Sequence, residues 1–258
     1  MRGLAATVLV LALAGCGRTV PTVELELGGE RFRVVLPEGW EHLDQGREQV
    51  FRHGEHRIVF RDLGPAGPAG VLRELEQARA ALHAGRPSDA VQRVNALRVP
   101  AALFPAPGRA EAYWHPWGTI AGDPLHAEPG ELEMALDLLE DQALELREPA
   151  LDTLALASWE RIEDDERRTL RGVAARTIAG RPGQLVETWD RVAHTTPRRH
   201  AFFVAGGRLI ALSTWIEVDP AVPAAFEELL GSLVPASPAA PGRDAPAVTS
   251  GDQGATGR

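Results

Sequence analysis

The chain has 258 residues, 44% hydrophobic and 24% charged, enough apolar material for one large folded unit or at most two, which excludes a wholly disordered protein. Its 36 acidic against 27 basic residues leave a net charge of -9, so no surplus of cations exists to neutralise a phosphate backbone, and nucleic acid is not expected as a partner. Every basic residue is Arg; without Lys, a Walker-type phosphate loop, a Schiff base and a lysine general base are all excluded.

Arg2 precedes an apolar run from Leu4 to Ala14. That run is roughly half of the ~20 residues needed to cross a bilayer, and matches the apolar region of a secretory signal. It ends in Leu13-Ala14-Gly15-Cys16, which resembles the lipobox of bacterial lipoproteins. The resemblance implies that residues 1–15 are a signal peptide, that Cys16 is diacylated and becomes the first residue of the mature chain, and that membrane lipid is its partner. Acyl chains contribute about 0.8 kcal/mol per buried methylene, so two or more of them anchor a protein without a transmembrane helix. Gly17 follows where Asp would imply inner-membrane retention, so the expected place is the cell envelope, on the outer membrane facing the periplasm where two membranes exist. Lipidation also accounts for the single cysteine, which can form no internal disulfide.

Residues 16–22 read as a lipidated tether, and 23–234 as a single α+β domain. Val23-Glu24-Leu25-Glu26-Leu27 alternates with period two, and Gly28-Gly29 signals a hairpin to a strand from Phe32 to Leu36. Two further short strands fit Gln49 to Arg52 and His56 to Asp62, giving an antiparallel meander. Gly64-Pro65-Ala66-Gly67-Pro68-Ala69-Gly70 is not a dinucleotide fingerprint, because its glycines lie three apart and its prolines remove amides.

A helical insertion at about 63–147 follows. Leu72, Leu75, Ala78 and Leu82 share a helical face; Gly85-Arg86-Pro87 breaks it, and Ser88 is placed to cap a second helix carrying Val91, Val94 and Leu97. The turn between them resembles that of a tetratricopeptide repeat, but one copy cannot bury its own faces. A Pro- and Gly-rich stretch containing Tyr113-Trp114-His115-Pro116-Trp117 leads to an amphipathic helix marked by Leu132, Ala135, Leu136, Leu139 and Ala143, and Pro149 introduces another through Leu151, Leu154, Ala155 and Ser158.

Strands are expected at Thr169 to Ile178, Gln184 to Val192, His200 to Val204 and Arg208 to Ile216, joined by turns at Gly180-Arg181-Pro182-Gly183, Thr196-Pro197 and Gly206-Gly207. Phe226, Leu229, Leu230 and Leu233 mark a closing helix. Residues 235–258 are mostly Pro, Ala, Gly, Ser and Asp with little to bury, and read as a disordered tail.

Two stretches together resemble the PsbP-like superfamily: Phe32-Arg33-Val34-Val35-Leu36-Pro37-Glu38-Gly39-Trp40, and Ile178-Ala179-Gly180-Arg181-Pro182-Gly183-Gln184 with the strands and helix after it. The resemblance covers roughly residues 31–62 and 148–233. It implies a central antiparallel sheet with helices packed on its faces and no catalysis; the departure is the insertion, where a special function would reside.

No Gly-x-Ser-x-Gly elbow, His-Glu-x-x-His helix, Cys-x-x-Cys pair or Gly-x-Gly-x-x-Gly turn occurs, and no cofactor is implied. His53 and His56 flank Gly54-Glu55 and are weak candidates for a metal, needing a third ligand from elsewhere. Trp114, His115 and Trp117 concentrate aromatic surface in a chain only 5% aromatic, either as a binding surface or as a loop pinned to the core. Glu163-Asp164-Asp165-Glu166 reads as a solvated connection, and His194, Arg198, Arg199 and His200 as a charge cluster at a hairpin edge. The expectation is a non-catalytic binding or scaffold module for an envelope protein or small ligand. The alternative is an envelope enzyme, a metal-assisted hydrolase using His53, His56 and His115 or a distant carboxylate.

Overall fold

The computed structural model describes residues 20–46, 48–97, 99–104, 116–120, 122–162, 168–190, 198–214 and 219–236. The chain is α+β, with an antiparallel sheet at its centre and helices packed against it. Strands β1 (Thr22–Leu27) and β2 (Glu30–Val35) form a hairpin whose turn glycines, Gly28 and Gly29, take φ of 62° and 80°, the left-handed values a tight two-residue turn demands. Next come β3 (Glu41–Asp44), β4 (Glu48–His53) and β5 (His56–Pro65), then, after the helical insertion, β6 (Arg168–Ile178), β7 (Arg181–Asp190), β8 (Arg198–Ala205) and β9 (Arg208–Thr214). Seven strands make one antiparallel sheet in the order β3-β4-β5-β9-β8-β7-β6. The segments before and after the insertion are therefore joined by hydrogen bonds, β5 against β9.

The first hairpin does not join that sheet as the expected meander would. With β10 (Val234–Pro235) it forms a separate three-stranded sheet. Its alternation requires only one buried face, and laying Leu25, Leu27, Phe32 and Val34 across Phe60, Phe203, Ile210 and Leu212 satisfies it without edge pairing. Helix α5 (Ala221–Ser232) fills the same core with Val222, Phe226 and Leu229. The expected start of the tail, residue 235, falls inside this strand: Val234 and Pro235 pair with β2, and the Ala236 N–H donates to the Arg31 carbonyl at 2.9 Å. Residues 237–258 lie outside the described residues.

Helix α4 (Leu151–Ile162) covers the opposite face of the large sheet, setting Leu154 and Ala155 against Val186, Phe202 and Ala211. The insertion helices α1 (Pro68–His83), α2 (Pro87–Ala96) and α3 (Pro129–Leu144) share a core of their own, centred on Leu75, Val91, Leu132 and Leu136. Each opens on Pro, whose missing N–H costs nothing in a first turn. At α2 this corrects the reading of Ser88 as cap, since the helix already starts at Pro87 and Arg86 is the N-cap residue. Arg79 ties α1 to α3 through Asp137 at 2.6 Å and Glu140 at 2.7 Å.

Another correction concerns the β6–β7 turn. The two turn residues are Ala179 and Gly180, with φ of 51° and 75°, and the strand resumes at Arg181, ahead of the expected start at Gln184. Pro182 pairs opposite Thr177 inside the ladder, and the guanidinium of Arg181 reaches Glu30 of the small sheet.

Candidate functional site

His53 and His56 sit opposite each other at the end of the β4–β5 hairpin, and the fold gives each its own work. The His53 ring stacks on Trp40 with centroids 5.7 Å apart, and its Nδ1 lies 2.8 Å from the Gly39 carbonyl, which holds the Pro37-Glu38-Gly39-Trp40 turn against the sheet. Nε2 of His56 lies 3.3 Å from Asp219, just ahead of α5, while its Nδ1 is buried without a partner. Among the described residues no group of three His, Cys, Asp or Glu side chains is placed to hold a metal. His115, the third ligand invoked for a hydrolase, lies outside the described residues, as do Trp114 and Cys16.

Trp117 is half-buried against the helical core, and its indole N–H donates to Asn95 Oδ1 on α2 at 2.7 Å. The loop bearing it is thus tied down at this point. His200 is not at a hairpin edge: it is buried on β8 in the middle of the sheet, with Nδ1 3.0 Å from Ser213 Oγ across the strand pair. Arg199 bonds Glu187 and Glu227 at 3.0 and 3.3 Å. His194 and the acidic stretch 163–166 lie outside the described residues.

Where the two hairpins and the insertion meet, the structure forms a concave site that sequence reasoning missed. The β8–β9 turn, Gly206-Gly207, presses against the β1–β2 turn so closely that a Cβ on Gly28 would overlap the Ala205 carbonyl oxygen, and one on Gly206 the Gly28 carbonyl. Gly70, in the first turn of α1, brings the helix onto the Gly207 carbonyl, and a Cβ there would lie 2.5 Å from that oxygen. Three separate parts of the chain meet here on backbone alone.

Charged side chains brace this junction. Glu30 accepts hydrogen bonds from both Nη atoms of Arg181 and from the Gly206 N–H at 2.5 Å. The Arg181 guanidinium, assisted by that N–H and opposed by partial burial, holds the Glu30 carboxyl below the usual carboxylate range. Arg208 donates to Asp62 at 2.6 Å and also to Glu74 of α1. On the other side, Arg73 Nη1 donates to the Gly206 carbonyl at 2.6 Å, and Arg93 Nη1 of α2 to Gln77 Oε1 at 2.8 Å.

Together these groups line an open polar cleft of about 500 Å³ between the turns and the α1–α2 pair. A second, more apolar cleft of about 480 Å³ lies behind Gly70, walled by Ala66, Pro149, Leu154, Pro182 and Val204. Both volumes fall within the range of small-molecule sites. The sequence signals for the polar cleft were two Gly-Gly turns and arginines on helix faces, each readable locally; nothing local says that residues 28, 73 and 206 meet.

No family model matches the chain, and no curated protein matches it. The solution structure of cyanobacterial PsbP (CyanoP) from Synechocystis sp. PCC 6803 is similar to it, at 13% sequence identity over 88% of this chain and 99% of that one, with a TM-score of 0.37. A superposition that loose carries no functional argument, and the α+β architecture stands on the strand pairing above.

Proposed function

We propose that this chain is a non-catalytic binding module of the cell envelope, held on a membrane through diacylated Cys16, and on the outer membrane facing the periplasm where there are two. The observation that carries the binding reading is the polar cleft, a preformed concavity braced by ion pairs and placed where the insertion meets the sheets. The insertion supplies the contact surface, through α1 and α2 at the cleft and through the stretch around Trp114, His115 and Trp117. Supporting the non-catalytic reading, His53 and His56 are committed to the Gly39 turn and to Asp219.

The anchor rests on Leu13-Ala14-Gly15-Cys16. No helix among the described residues is long and apolar enough to cross a membrane. Val20 is the fourth residue after Cys16, a reach of at most ~14 Å, which would keep the face carrying Val20, Pro21, Leu36 and Trp40 near the lipid. Detergent phase partitioning of the wild type against Cys16→Ser, with mass spectrometry of the mature N-terminus, tests the anchor. Wild type in the detergent phase and the variant in the aqueous phase is the expected result; equal partitioning overturns it.

A further inference from the structure

We propose that the polar cleft binds a small solute through an oxyanion group, phosphate or carboxylate, gripped by Arg73 and Arg93. This rests on the binding-module reading and names the ligand class for its site.

The argument is one of charge matching. The three carboxylates that line the cleft are all engaged: Glu30 by Arg181, and Asp62 and Glu74 by Arg208. Arg73 and Arg93 line the same cleft, and among the described residues neither guanidinium has a carboxylate partner. Each makes one hydrogen bond to a neutral acceptor, the Gly206 carbonyl or the Gln77 amide oxygen. A guanidinium carries five N–H donors in a rigid fork, so both retain donors for a planar or tetrahedral oxyanion.

Placement reinforces this. Arg73 and Gln77 are four residues apart on α1 and so share a face, and Gln77 in turn holds Arg93 of α2. Both cations therefore line one cleft from two helices, not from a loop. The lining holds three arginines against three carboxylates, and Arg181 behind Glu30 brings the balance to one positive charge, in a chain whose net charge is -9. A cation would meet only carboxylates already bonded to arginine, so the cleft selects against it.

The site lies at the turn end of the first hairpin, whereas the tether enters at Thr22, the other end of β1. Six residues at about 3.3 Å each separate these ends by roughly 20 Å, so the ligand is a solute reaching the cleft from the aqueous side, not a headgroup beneath the tether.

The test is titration calorimetry of the full-length protein in detergent with inorganic phosphate and, separately, citrate, the two arms distinguishing phosphate from carboxylate preference. The variants are Arg73→Gln/Arg93→Gln in the cleft and Arg86→Gln as control, since Arg86 is exposed and paired with Asp89 away from it. Saturable binding by the wild type and Arg86→Gln, weakened at least about tenfold in the double variant, is the expected result. Thermal unfolding at the wild-type temperature shows that the double variant is folded. Equal binding by wild type and double variant, or no saturation by about 10 mM of either anion, overturns the assignment. A photo-crosslinker at Gln77 that still captures a neutral or cationic solute from envelope extract would then overturn the oxyanion assignment alone, whereas capture of nothing would also overturn the binding-module reading.

Discussion

Gly28 and Gly206 face each other across the junction of the two sheets, each blocked from carrying a side chain by backbone carbonyl oxygen on the other side. Their φ values, 62° and 56°, are left-handed, so both the conformation and the space require glycine. Gly206→Ala is expected to destabilise the protein by about 2–4 kcal/mol, combining left-handed strain with a backbone overlap that no rotamer relieves. Gly29, also left-handed but with nothing within 4 Å of its would-be Cβ, is the matched control, at about 1 kcal/mol for Gly29→Ala. Urea unfolding of the two variants measures the difference; equal losses would show that the close approach carries no energy.

Glu30 gives the junction a pH dependence whose sign follows from its pKa. The carboxyl lies below the ordinary carboxylate value in the folded state because of Arg181 and the Gly206 N–H. As pH falls, the unfolded chain takes up this proton first, so the contribution to stability is present in full above the unfolded-state pKa and is lost as pH falls through the lower folded value. The stability difference between wild type and Glu30→Gln is therefore expected to be largest near pH 7 and to shrink below about pH 4. A difference that stays constant down to about pH 2 would mean that the side chain acts by shape and not by charge.

How much of this was legible in sequence depended on whether the signal was local. Period-two alternation placed β1, β2, β5 and β8, and the 3.6-residue pattern placed α1 through Leu75 and Ala78 and α3 through Leu132 and Leu136. Alternation states that a strand has one buried face, not which surface covers it, so the separation of the small sheet from the large one could not be read. The short strand Glu41–Asp44 was missed because an edge strand with three exposed residues carries no apolar alternation. The cleft was invisible for a related reason: Glu30 and Arg73 lie more than a hundred residues before Gly206 and on different elements from each other, and each obeys a local rule on its own. His53 looked like a ligand because sequence cannot show that its ring already has Trp40 and the Gly39 carbonyl.

Ala179 is the one non-glycine residue among those described with positive φ, at 51°. Alanine in this region costs roughly 1 kcal/mol through the contact of Cβ with the following carbonyl oxygen, while glycine there costs more backbone entropy in the unfolded chain. Ala179→Gly is expected to stabilise the protein slightly, by up to about 1 kcal/mol, without altering the Arg181 to Glu30 contact beyond the turn. A loss of more than about 1 kcal/mol would show that the Ala179 methyl, which belongs to the core shared with Phe203 and Ile178, contributes more by packing than it costs in strain.

Trp117 and Asn95 offer a way to separate a structural pin from a contact surface within one short stretch. The indole N–H of Trp117 donates to Asn95 Oδ1 at 2.7 Å while the ring packs against the helical core, so its first duty is to fasten the loop to α2. Trp117→Phe removes the donor and keeps most of the apolar area; Asn95→Ala removes the acceptor. Each single change is expected to cost about 1 kcal/mol, and the double variant less than their sum, because the second substitution removes a partner already lost. A coupling energy of about 0.5–1 kcal/mol from urea unfolding of the four proteins would establish the pin, and strict additivity would dismiss it. If the proposed contact role of this stretch holds, Trp114→Ala should weaken partner capture at unchanged stability, whereas Trp117→Phe, which keeps an aromatic ring in the surface, should lower stability and retain most of the capture at a temperature where both variants are folded. Loss of capture in both, in step with their unfolding, would mean that the aromatic stretch holds the insertion together and presents no surface of its own.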